Sequence, residues 1–387
     1  MNSKAFIVRY GELALKGKNR PYFERQLEKN IAQKIGKFGQ FGIRRLPCRI
    51  LIEFSNIVDW ESFKNSISNV FGYSSASPVI LVPPTLGDLE KAAVEMARAI
   101  SIKSFAVRVK RGDKGFPLTS PEIARVIGAG IAASTGAPVD LSTPAVVFNV
   151  EVLKDMILVS TEEIKGRGGL PTGVSGRLLS LISGGIDSPV ASWMMMKRGA
   201  IVDFVHFHSS PFTDRRSIEK VLDLVEVLSD WQGGFRIALV PFGRLQEKIV
   251  MAVPSSMRIV IYRRFMMRIA SRLAERFGAD GLVTGEALGQ VASQTLKNIM
   301  VVDEAATLPV FRPLIGCDKQ EITDIAREIG TYEISILPHK DCCTFLEPRH
   351  PVLAAKKQDV SCIEETLPIE DMLEEALREV EVREGGD

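Results

Sequence analysis

The chain lacks the features that would place it in a membrane, a secreted scaffold or a metal cage. Its apolar runs, such as Pro78 to Pro84, fall well short of the ~18 residues a membrane span needs, so no transmembrane helix is expected. The N-terminal stretch MNSKAFIVRYGELALKGKNR has no apolar core and no small-residue cleavage site of a secretory signal, and a cytoplasmic location is expected. Five cysteines (Cys48, Cys317, Cys342, Cys343, Cys362) are too few and too scattered for a disulfide framework, so a special cysteine should be reactive rather than cross-linking. Histidine is scarce as well. His206 and His208 alternate on a strand with no third ligand in view, and His339, Cys342, His350 and Cys362 lack a C-x-x-C spacing, so neither group is expected to hold zinc.

A surplus of one charge is also missing overall, at +2, but not locally. Residues 1–50 carry twelve Lys/Arg against three acids, whereas residues 341–387 carry five against thirteen. A basic segment of that density is a candidate footprint for phosphates, or else a solvated helix face.

At about 150 residues per domain, 387 residues suggest two to three domains. Strands are predicted at 4–10, 42–47, 49–54 and 78–82, with helices at 22–37 and 59–69. That β-α-β-β-α-β order predicts a ferredoxin-like α+β layer. A helix started by the PPT at Pro83 to Thr85 and running through Ile100, a strand at 105–110, a helix at 121–134 and strands at 145–150 and 156–161 predict a second small α/β unit. Residues 165–177 (KGRGGLPTGVSGR) read as a linker. Beyond it, LLSLI, AIVDFVHF, RIALVPF and ADGLVTG alternate with helices, the pattern of a parallel doubly wound sheet. A helix over 258–277 places Arg264, Arg268, Arg272 and Arg276 on one face, expected to be solvated. The last 25 residues predict an acidic amphipathic helix.

The densest chemical signal is LLSLISGGIDSPVASWMM, residues 178–195. A buried strand feeds Ser183-Gly184-Gly185-Ile186-Asp187-Ser188, and Pro189 suits a first helical turn. Glycines let the backbone approach a ligand, while hydroxyls and helix N-terminal amides converge on one spot suited to a pyrophosphate. The stretch has neither the GK[ST] ending of a Walker A loop nor G-x-G-x-x-G. SGGxDS after a strand resembles the PP-loop of ATP pyrophosphatases, which split ATP between its α and β phosphates and adenylate a substrate.

Later segments fit a site at the C-terminal edge of a parallel sheet. His206-Phe207 can pack near an adenine. Thr284 to Thr295 (TGEALGQVASQT) ends a strand in small and polar groups, and RPLIGCDK brings the cation Lys319. HKDCCTFLEPRHP, residues 339–351, pairs Cys342 and Cys343 near His339, Lys340 and Arg349, which would favour a thiolate if close; buried inert thiols are the plainer alternative.

In their order, YGELALKGKNR, GRGGLPTG, SGGIDS, TGEALGQVASQT, RPLIGCDK and the Cys-Cys pair resemble the tRNA 4-thiouridine synthetase (tRNA sulfurtransferase) family over essentially the whole chain. The resemblance implies a ferredoxin-like domain at 1–75, a THUMP domain at 76–165 (60–165 in the broad sense), a linker at 166–177 and a Rossmann-like PP-loop domain at 178–387. It implies ATP against Leu181, Ile182, His206, Phe207, Arg263, Gly285 and Gln294, with its phosphates on Ser183, Gly184, Gly185, Asp187 and Ser188. Asp187 and Lys319 would serve adenylation, and Cys343, with Cys342 beside it, would handle sulfur. The implied reaction adenylates the 4-oxygen of uridine-8 in tRNA with Mg²⁺ and ATP and replaces it with sulfur, giving 4-thiouridine. Sulfur transfer in thiamine thiazole synthesis, with a sulfur carrier protein, is also implied, as is a cysteine desulfurase donor. A homodimer is expected because a single tRNA-binding region must hold the acceptor end while a distant active site meets the uridine. Some members continue into a rhodanese domain, whereas here an acidic helix is expected at the end. The alternatives are another PP-loop tRNA modifier, or a tRNA-binding module with a degenerate ATP site.

Overall fold

The structure is a computed structural model that describes residues 2–210, 212, 216–338 and 351–386. The chain divides into two compact units, Met1–Leu170 and Pro171–Asp387.

The first unit runs β1 (Asn2–Arg9), α1 (Arg20–Ile35), β2 (Phe41–Leu46), β3 (Arg49–Asp59), α2 (Trp60–Ile67), β4 (Ser75–Val82), α3 (Leu86–Arg98), β5 (Phe105–Arg111), α4 (Ser120–Thr135), β6 (Val146–Val152), β7 (Ile157–Ser160) and β8 (Ile164–Lys165). Among the described residues these strands form one sheet in the order β2-β3-β1-β4-β7-β6-β5, with β8 also on β4. The βαββαβ order predicted for the first layer is realised. Leu27, Ile31 and Ile35 bury one stripe of α1, and Phe6 of β1 stacks on Phe63 of α2 at 4.0 Å between ring centroids. β4 starts earlier than the predicted Pro78, because Ser75–Val79 pair antiparallel with β1 while Ile80–Val82 pair with β7. Backbone pairing overrides the weak strand preference of Ser-Ala-Ser. α4 starts with a Thr119/Glu122 capping box and ends at the left-handed Gly136, the usual start and stop chemistry of a helix.

The second unit runs β9 (Arg177–Leu181), α5 (Asp187–Lys197), β10 (Ile201–His208), α6 (Arg216–Ser229), β11 (Phe235–Pro241), α7 (Gly243–Ala252), α8 (Arg258–Phe277), β12 (Leu282–Val283), α9 (Leu296–Asp303), β13 (Val310–Phe311), α10 (Lys319–Glu328), α11 (Tyr332–Ser335), α12 (Lys357–Glu364), α13 (Ile369–Arg378) and β14 (Glu381–Gly385). Its sheet order is β13-β12-β9-β10-β11-β14, parallel from β13 to β11. From β9 the chain winds to one side through β10 and β11, then returns to β12 on the other. This reversal opens a crevice beyond the carboxyl ends of β9, β10 and β12, where such sheets bind ligands.

Two expectations fail. The chain does not end in a helix: α13 stops at Arg378, and β14 pairs antiparallel with β11 at the sheet edge. With four of its five residues exposed, β14 has no apolar face to announce it. Nor is the arginine stripe of α8 solvated. Arg264 and Arg268 both grip Glu364 of α12, at 2.8 and 2.6 Å, and Arg272 pairs with Glu370 of α13; Arg276 alone is exposed. The carboxyl-terminal helices supply the counter-charges, so the stripe clasps them to the sheet.

Candidate active site

After β9 the chain turns through Ser183-Gly184-Gly185-Ile186 into α5, and two serines lace the turn. The Ser183 amide donates to Ser188 Oγ (2.9 Å), the Ser188 hydroxyl donates to the Ser183 carbonyl (3.3 Å), and the Gly185 amide donates to Ser183 Oγ (3.3 Å). Across the turn lies Gly285. A Cβ there would stand 2.6 Å from the Ser188 nitrogen and 2.8 Å from the Asp187 carbonyl carbon, so only glycine lets the end of β12 approach this closely. The turn therefore holds its shape at the start of a helix, where amides and dipole favour an anion.

Beside it is a cavity of about 380 Å³, within the ~300–1,000 Å³ of small-molecule sites. Leu181, Ile182, Ser183, Gly185, Asp187 and Ser188 form one wall, His206 and Phe207 another, and Gly285, Gln294 and Arg263 close it. These are the nucleotide residues expected from sequence, except Gly184, which lies in the turn without lining the cavity. Sequence reasoning missed the apolar contribution of α8: Ile259, Met266 and Met267 share a face with Arg263 at helical spacing and line the cavity with it. The i, i+4, i+7, i+8 spacing was visible, but apolar residues there read as ordinary core.

His206 is buried, with Nδ1 3.0 Å from the Ile182 carbonyl. A carbonyl only accepts, so Nδ1 carries the proton and the ring orientation is set. Burial, with help from His206, pushes His208 down to about 4, leaving it neutral near pH 7. Among the described residues no group of three or more metal-ligating side chains occurs. The Gln294 amide oxygen is buried without a hydrogen-bond partner, the kind of acceptor a purine amino group satisfies.

Asp187 and Lys319, 132 residues apart in sequence, meet: Lys319 Nζ donates to Asp187 Oδ1 at 2.6 Å, and Gln290 Nε2 approaches Oδ2 at 3.4 Å. Lys319 opens α10 behind the Asp318 N-cap, which accepts from the Gln320 and Glu321 amides and so fixes where the lysine starts. Glu286 was not singled out by sequence. It is 2% exposed, accepts from Thr284 Oγ1 (2.9 Å) and Arg312 Nε (2.7 Å), and pairs with Arg263 Nη2 (2.7 Å). Burial opposes its ionisation, but the charges of Arg263 and Arg312 outweigh it and hold the carboxyl below its usual range. Cys342 and Cys343, with His339, Lys340, Arg349 and His350, lie outside the described residues.

The family model for the thiamine biosynthesis protein ThiI matches residues 173–369, that for the ThiI ferredoxin-like domain residues 5–77, and that for the THUMP domain residues 84–162. A probable tRNA sulfurtransferase of Brevibacillus brevis is 43% identical over 99% of this chain and 97% of its own. One from Thermus thermophilus is 44% identical over 99% and 94%. Among solved structures, a 4-thiouridine synthetase in complex with RNA and bound ATP superposes with a TM-score of 0.88 at 36% identity, covering 98% of this chain and 99% of that one. Full-length likeness, three family models in the expected order and a PP-loop-type turn beside a nucleotide-sized cavity agree, and the chain belongs to the ThiI family of tRNA sulfurtransferases.

Proposed function

We propose that this protein is an ATP-dependent tRNA sulfurtransferase that converts uridine-8 of tRNA to 4-thiouridine. The observation that carries this reading is the Lys319–Asp187 pair, which joins the α10 cation to the PP-loop at the rim of the cavity. ATP places its base among Phe207, Met266 and Met267 and its phosphates on the 183–188 turn. Asp187 fits a Mg²⁺ held mainly by phosphate oxygens and water, since its carboxylate sits at the rim with exchangeable side-chain partners. Bound there, the ion supplies charge neutralisation.

Lys319, released from Asp187, stabilises the negative charge that builds on the α-phosphate as the uracil 4-oxygen attacks it and pyrophosphate departs. The oxygen thereby becomes part of AMP, a good leaving group, and C4 becomes electrophilic. A persulfide on Cys343 then attacks C4 and AMP leaves. The Cys342 thiolate resolves the C4–S–S–Cys343 linkage by attacking Cys343 Sγ, which frees 4-thiouridine and leaves a Cys342–Cys343 disulfide; alternatively, the same disulfide forms on the persulfide first and expels the sulfide that attacks C4. A thiol reductant then reopens the disulfide. A cysteine desulfurase loads the persulfide. A homodimer in the cytoplasm and a contribution to thiamine thiazole sulfur through a carrier protein complete the proposal. The basic segment of residues 1–50 falls in the ferredoxin-like match, in the same compact unit as the THUMP match, a fitting place for the tRNA footprint.

The test incubates the protein with unmodified tRNA, Mg-ATP and sulfide, with and without a desulfurase. The expected outcome is AMP release together with the near-ultraviolet absorbance of thiouridine. Tight tRNA binding without AMP would mark a binding module instead. Cys343→Ser should keep pyrophosphate release and lose desulfurase-driven thiolation.

A further inference from the structure

A carboxylate lining a cavity meant for a triphosphate needs explaining, because an acid beside phosphates raises the cost of binding them. Glu286 is that carboxylate, and its surroundings show what offsets the cost. Its two oxygens are divided between two arginines, Arg263 through Oε1 and Arg312 through Oε2, and Thr284 donates to Oε2 as well. Arg312 is held at its other end by Asp303, at 3.1 Å through Nη1. Arg312 therefore keeps a partner whatever happens to Glu286. Arg263 does not, since its remaining contact is a long 3.4 Å donation to the Ser293 carbonyl. The chain of groups joins α8, the segments after β12 and β13, and the end of α9, whose start follows the Val291–Gln294 wall of the cavity.

We propose that Glu286 is a positioning residue for adenylation: it holds the Arg263 guanidinium at the cavity wall, facing the anionic part of the nucleotide. The inference rests on the ATP reading above. An arginine has several rotatable bonds, and ordering it only when the nucleotide arrives would draw on binding free energy. Glu286 orders it beforehand. It also offsets the positive charge of Arg263 at the wall, so the cavity does not hold departing anions with an unopposed arginine.

The experiment is a double-mutant cycle on AMP formation, with unmodified tRNA as acceptor, saturating sulfide as sulfur source and ATP varied. Glu286→Gln should raise the KM for ATP about ten-fold, the scale of one close charge pair lost. Arg263→Ala should raise it at least as much, and the double variant should be no worse than Arg263→Ala alone. Thr284→Val removes only the hydroxyl donated to Glu286 and should raise KM by about three-fold, again only while Arg263 is present; it carries the test should Glu286→Gln fail to fold. Multiplying losses in the double variant, or a lowered melting temperature with an unchanged KM, would overturn the proposal. If the wild type forms no AMP, the ATP reading itself fails. If the wild type forms AMP and both Glu286→Gln and Thr284→Val match its KM, this inference alone fails.

Discussion

Arg263 and Arg264 are neighbours on one helix, and they do opposite things. Arg263 faces the cavity and meets Glu286, while Arg264 faces away and is locked to Glu364. Both are charged residues taken out of water and matched to a carboxylate. The first pair stands where a ligand can join it, and the second is closed, because Arg268 caps the same carboxylate and the Val301 carbonyl accepts from Arg264. Burial of charge therefore does not mark function by itself; function needs an open side. The closed side shows its structural character in Glu364. Burial works against its ionisation, but hydrogen bonds from Arg264 and Arg268 prevail and pull it from 4.5 down to about 2.

The sharpest way to break this contrast is to remove a carboxylate from the open side. Asp187→Asn should cut AMP formation by roughly 100-fold or more, with the melting temperature nearly unchanged and tRNA affinity within a few-fold. Unfolding instead would mean that the cavity is as structural as the clasp. On the closed side, Glu364→Gln leaves two arginines facing a neutral amide and should lose about 3–5 kcal/mol of unfolding free energy in urea titrations. The KM for ATP of its folded fraction should stay that of the wild type. The clasp also has a pH signature. A depressed carboxylate pKa contributes stability above the unfolded value and loses it as pH falls. The stability gap between wild type and Glu364→Gln should therefore be full above pH 4.5 and shrink by about 3 kcal/mol towards pH 2. The smallest effect belongs to the clasp's exposed end. Glu370 is 72% exposed, so Arg272→Ala should cost under about 1 kcal/mol, and less at high salt.

What could be read from sequence followed the range of the interactions. The SGGIDS turn was legible because strand, glycines, hydroxyls and helix start are contiguous and their chemistry is local. The βαββαβ layer was legible because α1 repeats its apolar residues at helical spacing. The roles of Glu286 and Glu364 were not, since each depends on arginines brought in from other elements, and nothing local tells which of two adjacent arginines faces which acid. β14 escaped for a different reason: an edge strand held by backbone pairing alone leaves no hydrophobic alternation, and its glutamates continue the composition of α13. Asp187 and Lys319 were each chosen for their motif, but their contact appears only once α10 is folded against α5.

Strand β4 gives its first half to β1 and its second half to β7. The matches to the ferredoxin-like and THUMP models stop at residue 77 and resume at 84, so the division between them falls inside this one strand. Dissecting the chain there would leave each fragment with a raw hydrogen-bonding edge, an invitation to aggregate. Amide exchange across both layers should accordingly slow and quicken together, as one cooperative block rather than two.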